Sequence, residues 1–373
     1  MKKVRVYGSF QALPTSYEKL FGEAHSASNI FLTLPWFRNL GDTVLEKTTN
    51  VRIYGVESED EHLQPHLALP MCYEISAKSV LAPRRLTAAA NYYTSLFGPI
   101  VGARNSCASN DLTLVAQAIA AEQPCWDMVD LHPIDAGTPV FTNILIAFRQ
   151  AGMVPQSYFC FGNWYLEVNG RSYQEYFDSL PSRLRNTLER KRKQLARSGR
   201  IRIEIFQDGD DLDSGIAAYE KIYNSSWKEP EPYPAFMPGL IRSCAHQGWL
   251  RMGVAYVDGQ PAAAQVWIIY NGVASIYKLA YDEQFAQFSI GSILTARLMQ
   301  HAIDVDRVRE VDYLTGDEAY KREWMSHRRE RRGIVAFNVR SVNGAFAALK
   351  HWSKHALKNI PGFIYILRKI EHA

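Results

Sequence analysis

The sequence predicts a mixed α/β (α+β) protein of two domains, each with a mostly antiparallel sheet flanked by helices. Three observations support this prediction. The chain has 373 residues, which exceeds the usual size of one hydrophobic core and favours two domains. Two hairpin turns, Asp258-Gly259 and Asn271-Gly272, separate alternating apolar runs in the second half. The first half can be read as a looser version of the same order of elements.

The second half is predicted to run strand, two helices, three antiparallel strands, helix, strand, helix, strand. A helix over 183–198 that ends at Gly199 leads into the first strand, Ile201–Phe206, which alternates apolar and polar residues. The later elements are helices at 211–227 and 235–247, strands at 249–257, 262–270 and 273–281, a helix from Ser289, a strand at 309–314, a helix at 318–325 and a strand at 333–340.

The first half is predicted to repeat this order in a degenerate form. The predicted elements are a strand at 4–8, a helix at 28–40, paired strands at 50–57 and 67–75, a helix at 111–122, a strand at 126–132, a helix at 140–150 and a strand at 158–168. Structural duplication is the preferred hypothesis, and an unrelated cap domain is the alternative. The predicted domains are 1–170, 171–342 and a basic amphipathic tail over 343–373.

Charge and cysteine content restrict the function classes. The formal net charge of +4 is too small to indicate nucleic-acid binding by itself, although basic residues cluster at 183–202 and 327–332, where they could face an anionic partner. Five cysteines without a C-x-x-C pair favour a reducing compartment. With no apolar leader at the N-terminus, the expected location is the cytoplasm. The histidines show no metal-binding spacing, and no metal cofactor is expected.

The stretch FSIGSILTARLMQHA, residues 288–302, opens a helix with small residues directly after a strand. A start of this kind is either an ordinary cap or a seat for ligand phosphates, because first-turn N–H groups and the helix dipole attract anions. A glycine without Cβ would allow close approach of a phosphate. The candidate residues for binding the phosphates of a ligand are therefore Ser289, Ile290, Gly291 and Ser292.

The order of elements over 201–340 resembles the GNAT acetyltransferase fold. YKLAYDEQFAQFSIGSIL and the motif Gly-Asp-x-x-Tyr-Lys-x-x-Trp, here 316–324, resemble the acetyltransferases of bacterial cellulose and exopolysaccharide biosynthesis, the CelD/BcsL-like type. That family is similar in turn to the tandem-GNAT, FemAB-like aminoacyltransferases of peptidoglycan. The resemblance implies tandem GNAT-like domains and acetyl-CoA or another acyl-CoA as the donor. The usual GNAT phosphate-binding pattern is matched here only at Gly291.

The resemblance also implies roles in acyl transfer. Tyr320 resembles in position the tyrosine that protonates the leaving thiolate, although it could simply pack. Asp312 and Asp317 are candidate bases with a raised pKa; alternatively Asp312 caps the strand or pairs with Lys278 or Lys321. Further candidate residues line the donor and acceptor sites: Tyr281 for the donor, and Lys278, Lys321, Trp227 and Tyr277 for the acceptor. Trp227 is more simply read as a closure residue.

The expected partners are an acyl-CoA donor and a sugar or lipid-linked envelope precursor as acceptor. The basic helix at 183–198 is either a solvated face or a contact for phosphate, tRNA or a membrane surface. The tail either docks on the core or lies peripherally on the inner face of the membrane. The preferred function is an acyltransferase; the alternatives are an aminoacyl-tRNA-dependent transferase and an inactive scaffold.

Overall fold

A computed structural model of the chain describes residues 2–23, 29–45, 49–58, 64–74, 82–102 and 109–358. The helices are α1 (Ser16–Glu23), α2 (Leu34–Thr43), α3 (Ser109–Ala121), α4 (Pro139–Gln150), α5 (Tyr173–Ser179), α6 (Ser182–Ser198), α7 (Leu212–Asn224), α8 (Phe236–His246), α9 (Ile290–Gln300), α10 (Ala319–Trp324) and α11 (Val342–Lys358). The strands are β1 (Lys2–Tyr7), β2 (Thr49–Ser58), β3 (Pro65–Glu74), β4 (Arg85–Ala88), β5 (Ile100–Val101), β6 (Met128–Asp135), β7 (Val154–Glu167), β8 (Ile201–Phe206), β9 (Leu250–Val257), β10 (Gln260–Tyr270), β11 (Val273–Tyr281), β12 (Glu310–Asp312) and β13 (His327–Phe337).

The chain forms two compact units that are not continuous in sequence. Unit 1 comprises Met1–Ala24, Glu46–Cys160 and Arg332–Ala373, and unit 2 comprises His25–Leu45 and Phe161–Arg331. β7 and β13 contribute residues to both units. The division at residues 170 and 342 stays a prediction, because it concerns domains along the sequence and these units are defined by spatial contact.

In unit 1, β1, β2 and β3 form an antiparallel meander, and β3 also pairs antiparallel with β4 and β5. β4 then pairs parallel with β6. α3 and α4 pack on this sheet around a core that includes Tyr54, Phe97, Trp126 and Ile334. Unit 1 therefore has its own hydrophobic core.

In unit 2, β8, β9, β10 and β11 are antiparallel in that order, β11 pairs parallel with β12, and β12 pairs antiparallel with β7. Asp258 and Gly259 have φ of 50° and 80°, and Asn271 and Gly272 have φ of 44° and 72°. Positive φ at both central residues defines the type I′ turn that joins right-twisted strands in a hairpin. The predicted three-strand meander is confirmed.

Helices cover both faces of the unit 2 sheet. A Cβ on Gly253 would lie 2.8 Å from Leu294 of α9, whereas a Cβ on Gly215 of α7 would lie 2.7 Å from Met252. Neighbouring residues of a strand face opposite sides, so α9 packs on one face and α7 on the other. The lack of a side chain at Gly253 lets α9 approach the sheet closely.

Several boundaries differ from the sequence predictions. The last strand begins at His327, whereas we predicted 333, so the basic run 327–332 is a paired strand and not a free basic segment. The helix predicted at 28–40 is a 3-10 turn, Ile30–Leu32, followed by α2, and it lies in unit 2. Four short elements were not predicted: α1, α5, β4 and β5. Within the described residues, no helix is both long enough and apolar enough to cross a bilayer.

Candidate active site

The start of α9 combines a left-handed residue with an uncapped first turn. Ser289 has φ 53° and ψ 36°, and its side chain makes no capping hydrogen bond. Its carbonyl accepts the N–H of Ile293, the first bond of the helix. The N–H groups of Ile290, Gly291 and Ser292 precede that bond and have no partner within the helix. An anion-binding end is thus available where we predicted either a cap or a phosphate seat.

Buried polar contacts fix the first turn of α9. The Gln265 side chain on β10 donates to the Gly291 carbonyl (3.0 Å) and to Thr295 Oγ1 (2.7 Å), and the Trp267 indole donates to Gln265 (2.9 Å). A Cβ on Gly291 would lie 3.5 Å from the Tyr281 ring. The turn is therefore held rigidly at the end of β11.

β11 extends past the end of β12 toward this turn. Their parallel ladder joins Val273 to Glu310 and ends at the pair Ser275 and Asp312, the last residue of β12. β11 continues to Tyr281 without a further partner on β12 in the described residues. The side of β11 that β12 leaves uncovered has backbone groups to which an extended substrate arm can bind.

Basic residues lie beside the same turn. The Lys191 ammonium on α6 donates to the carbonyl of Gln287 (2.5 Å). The Arg200 guanidinium, which pairs with Asp258, also lies 5.6 Å from the centroid of the Phe288 ring. Positive charge near a helix N-terminus favours an anionic ligand there.

Asp312 belongs to a buried polar network. It is 1% exposed and accepts hydrogen bonds from Asn163 (2.5 Å) and the Leu314 N–H (2.6 Å), while Arg329 pairs with it at 2.5 Å. Arg329 also contacts Glu310 (2.6 Å) and Asn163 (2.6 Å). The predicted partners Lys278 and Lys321 were wrong: the partner is an arginine from the run 327–332. The Asp312 carboxylate is therefore engaged by an amide, a backbone N–H and a guanidinium.

Asp317 is held at the surface. Arg328 grips its carboxylate through contacts of 2.7 Å and 3.0 Å, and the Trp164 indole donates to it at 2.7 Å. The hydrogen bond from Arg328 is the main cause that lowers the pKa of Asp317. We predicted a raised pKa, and for Asp317 this was wrong, because a neighbouring guanidinium stabilises the ionised form.

Most of the Gly-Asp-x-x-Tyr-Lys-x-x-Trp motif shapes the loop between β12 and α10. Gly316 has φ 109°, and Trp324 is a core residue. Lys321 is 4% exposed; its ammonium donates to the Thr315 carbonyl and pairs with Glu318 at 2.8 Å. We predicted Lys321 as an acceptor-binding residue, and the structure places its side chain in the interior.

Tyr320 differs from the other motif residues because its side chain is 43% exposed. Its ring packs edge-on against the ring of Tyr313, with centroids 5.8 Å apart. Partial burial, with a smaller effect from Glu318, raises the pKa of Tyr320 to about 12. The phenol therefore stays protonated at neutral pH and retains a proton that it can donate.

The predicted acceptor residues lie around β11. Lys278 pairs with Glu231 at 2.7 Å, so a carboxylate of the protein compensates its charge. The Tyr277 ring lies 5.9 Å from that of Trp36 and 6.0 Å from that of Phe31, so Tyr277 takes part in aromatic packing with the α2 segment. Trp227 is 51% exposed.

One residue next to Trp227 was missed by the sequence reasoning. Lys228 is half-buried, and burial, followed by the charge of Lys278, lowers its pKa to about 8. The only signal in the sequence was its place in SSWKEP, since the lysines that surround it come from distant segments. Among the described residues, no group of three or more His, Cys, Asp or Glu side chains is placed to hold a metal ion.

Comparison with known proteins agrees with this architecture. Residues 182–322 match the family model described as Acetyltransferase (GNAT) domain. The chain is similar to the crystal structure of FemX, with a TM-score of 0.63 and 11% identity over 92% of this chain and 99% of that chain. No sequence among the curated proteins matches it.

Two further solved structures are similar. One is the C-terminal domain of a putative lysylphosphatidylglycerol synthetase from Agrobacterium fabrum, with a TM-score of 0.53 and 13% identity over 92% of this chain and 94% of that chain. The other is a conserved protein of unknown function from Bacteroides thetaiotaomicron, with a TM-score of 0.51 and 10% identity over 87% of this chain and 98% of that chain. At such identities the likeness concerns the fold alone. The predicted fold class, tandem GNAT-like and mixed α/β with mostly antiparallel sheets, is confirmed.

Proposed function

We propose that the protein is an acyltransferase that moves an acetyl or other acyl group from an acyl-CoA to an amino or hydroxyl group. The acceptor we propose is a sugar or a cell-envelope precursor of the kind used in exopolysaccharide biosynthesis. The GNAT-type acyltransferase fold gives the reaction class. The observation that carries the proposal is the uncapped start of α9, which lies beside the end of β11 that extends past β12.

The donor would bind with its pyrophosphate at this helix start. The N–H groups of Ile290, Gly291 and Ser292 supply donors, the helix dipole adds partial positive charge, and Lys191 supplies a full one. Ser289 sets the turn that aims these groups. The end of β11 has no partner on the β12 side, and its backbone groups there can bind the acyl-bearing arm. Tyr281 borders Gly291.

In the chemical step the acceptor nitrogen or oxygen attacks the thioester carbonyl carbon. The new C–N or C–O bond forms, the acceptor loses its proton to a base, and the C–S bond breaks. Tyr320 is the proposed acid that protonates the departing thiolate, because its raised pKa keeps the phenol intact. Trp227, Tyr277, Lys278 and Lys321 are the proposed surroundings of the acceptor.

Asp312 and Asp317 were proposed as bases, and both remain testable in that role. Arginines hold both carboxylates, which favours a positioning role in which Asp312 anchors β12 and Asp317 anchors the loop before α10. If D312N and D317N both keep acyltransfer activity, neither aspartate is the base. If only folding stability falls, the positioning role is supported.

Thioester binding can be tested without knowledge of the acceptor. Acetyl-CoA, longer acyl-CoAs and coenzyme A are added in a thermal-shift screen, where a ligand at 100 times its Kd stabilises the folded state by about 2.7 kcal/mol. Gly291→Val places methyl groups where phosphate would approach. It is expected to weaken the affinity for acetyl-CoA by about tenfold or more. Gly22→Val is the matched control, since Gly22 also lies in a helix and nothing lies within 4 Å of its added Cβ. Equal affinity in both variants would contradict the proposed seat.

An aminoacyl-tRNA-dependent transferase is the second candidate, and the basic helix α6 favours it. Arg183, Arg190, Arg192 and Lys193 are exposed on this helix, and such a row of charge suits a long polyanion. Binding of tRNA with a steep salt dependence, together with no stabilisation by any thioester, would favour this candidate. No response to either ligand would leave the scaffold hypothesis.

A further inference from the structure

Lys228 lies in a cluster of lysines and aromatic rings on unit 2. Its ammonium nitrogen is 5.6 Å from the centroid of the Tyr223 ring and 5.9 Å from that of Trp227. The Lys278 nitrogen is also 5.6 Å from the Tyr223 ring. The two amines therefore lie near the same ring.

The three lysines of this cluster differ in whether a carboxylate pairs with their positive charge. Lys278 pairs with Glu231, and Lys321 pairs with Glu318 and the Thr315 carbonyl. For Lys228 Nζ, no acceptor within hydrogen-bond distance is found in the part of the chain that the structure describes. The charged groups that act on it are Lys278, Glu231, Lys321 and Glu318. An amine that is half-buried, beside a like charge and without a carboxylate of its own is the one most easily deprotonated.

The cluster is continuous with the proposed acyl-transfer site. The Trp227 ring packs on Tyr281 with centroids 4.7 Å apart, and Tyr281 borders Gly291 at the start of α9. Glu318 and Lys321, which act on Lys228, flank Tyr320 in sequence. Lys228 is thus linked by contacts to the proposed donor seat and by charge to the helix of the proposed acid.

We propose that the neutral amine of Lys228 is the base that removes the acceptor's proton during acyl transfer. The acceptor N–H or O–H proton passes to the Lys228 nitrogen lone pair as the acceptor bonds to the carbonyl carbon. The C–S bond breaks, and the thiolate takes a proton from Tyr320. The ammonium of Lys228 then returns its proton to water, and the Tyr320 phenolate takes a proton back from water. This assignment rests on the proposed acyltransferase function.

A base of this type suits the site better than its carboxylates. Asp312 and Asp317 are both held by arginines, so oxygen lone pairs of these carboxylates already accept hydrogen bonds from guanidinium groups. A lysine whose pKa lies near 8 is neutral in a useful fraction at the pH of a cell.

Competitive labelling tests the protonation state directly. The native protein is acetylated with trace acetic anhydride from about pH 6 to pH 11, and each lysine is quantified by mass spectrometry. Lys228 is expected to gain reactivity with a midpoint near 8, whereas an unperturbed lysine has a midpoint of about 10.4. A midpoint for Lys228 equal to that unperturbed value would overturn the assignment, and this result decides where no acyltransfer can be measured.

Two variants test the catalytic role. Thiol release from acetyl-CoA is followed with D-glucosamine or water as acceptor, for Lys228→Arg, Lys228→Met and the exposed control Lys221→Arg. Both Lys228 variants should lose about 100-fold or more in kcat and lose the rise of rate with a midpoint near 8, with acetyl-CoA affinity unchanged. Native-like turnover in Lys228→Arg would overturn the base assignment alone. Failure of the native protein to bind any thioester would contradict the acyltransferase proposal and this one together.

Discussion

Gly316 shows how a single backbone angle fixes the loop that presents Tyr320. Its φ of 109° is in a region that side chains rarely adopt. A Cβ at this position would also clash with the Glu318 carboxylate and would lie 2.8 Å from the Lys321 ammonium. The glycine of the motif is thus required by the ion pair that packs over it.

Gly316→Ala is expected to destabilise unit 2 by about 2 to 4 kcal/mol, because backbone strain adds to the displacement of the buried Lys321 ammonium. The control is Gly248→Ala, where φ is also positive at 73° but nothing lies within 4 Å of the added Cβ, and a cost of about 1 kcal/mol is expected. Urea unfolding of the two variants compares these costs. Equal losses would show that the packing of Lys321 on Gly316 contributes nothing.

The buried ammonium of Lys228 makes the stability of the folded protein depend on pH. Burial disfavours its ammonium, so the folded pKa of about 8 lies below the ordinary value of 10.5. The unfolded chain therefore binds more protons between these values, and native stability rises with pH across that window. Below about pH 8 the folded protein bears the full free-energy cost of burying the charged Lys228 ammonium.

Lys228→Met removes the penalty and should stabilise the protein by up to about 3 kcal/mol at pH 7, at 1.36 kcal/mol per pKa unit. The gain should shrink through pH 9 and vanish above about pH 10.5. Urea unfolding of both proteins at several pH values measures it, and Lys221→Met provides an exposed control. A gain that does not depend on pH would show that hydrophobic burial, and not titration, is its cause.

At the scale of elements, α6 and α9 meet at the turn that precedes the proposed phosphate seat. Leu188 of α6 is in the same core as Leu294 of α9, and Lys191 reaches the Gln287 carbonyl. The basic helix therefore has one side in the core and one cation at the turn, while Lys193 is exposed.

Lys191→Met is expected to weaken acetyl-CoA binding about threefold to tenfold, the size of one charge-assisted contact. Lys193→Met should change the affinity less than twofold, since screening reduces the effect of an exposed charge. Calorimetric titration at two salt concentrations separates the variants. If Lys193→Met weakens binding as much as Lys191→Met, the whole helix and not the turn attracts the donor.

The elements that could be predicted are those specified by neighbouring residues. Asp258-Gly259 and Asn271-Gly272 specify their own turns, and Gly199 at φ 61° ends α6 as predicted. Long-range partners could not be predicted in this way. The run 327–332 reads as a basic patch, yet Arg329 meets Asp312 across strands, because a sequence shows charge but not the carboxylate that pairs with it. Lys228 was missed for the same reason.

At the scale of the whole molecule, the two units repeat one local design. β6 carries Val129-Asp130 and β12 carries Val311-Asp312, and each strand pairs parallel with an earlier strand. Asp130 and Asp312 are both buried, and each pairs with an arginine at 2.5 Å. In β7, Tyr158 donates to Asp130 and Asn163 to Asp312. The repeat supports the duplication hypothesis and a framework role for the aspartate.

The C-terminal helix α11 carries an apolar stripe on its outer side. Val342, Phe346, Leu349 and Trp352 are 86%, 68%, 61% and 40% exposed, and their spacing of four, three and three residues places them on one face. Ala348, on the other face, packs with Val335 and Phe337 in the core of unit 1. For the tail over 343–373 we predicted either docking on the core or contact with a membrane. α11 packs on the core of unit 1 through Ala348, and residues 359–373 lie outside the described residues.

Such a stripe, with exposed Lys350 beside it, has the composition of a helix that lies at a lipid surface. If the acceptor is a lipid-linked envelope precursor, contact with the inner membrane face would place the protein on the surface that holds its substrate. The native protein is then expected to float with vesicles that contain anionic phospholipid, and less with neutral ones. Joint replacement of Phe346, Leu349 and Trp352 by serine should reduce binding about tenfold or more, because the lost apolar area is large. Phe159→Ser, at a half-exposed residue on β7, should bind as the native protein does. Undiminished flotation of the triple variant would mean that the stripe does not contact lipid.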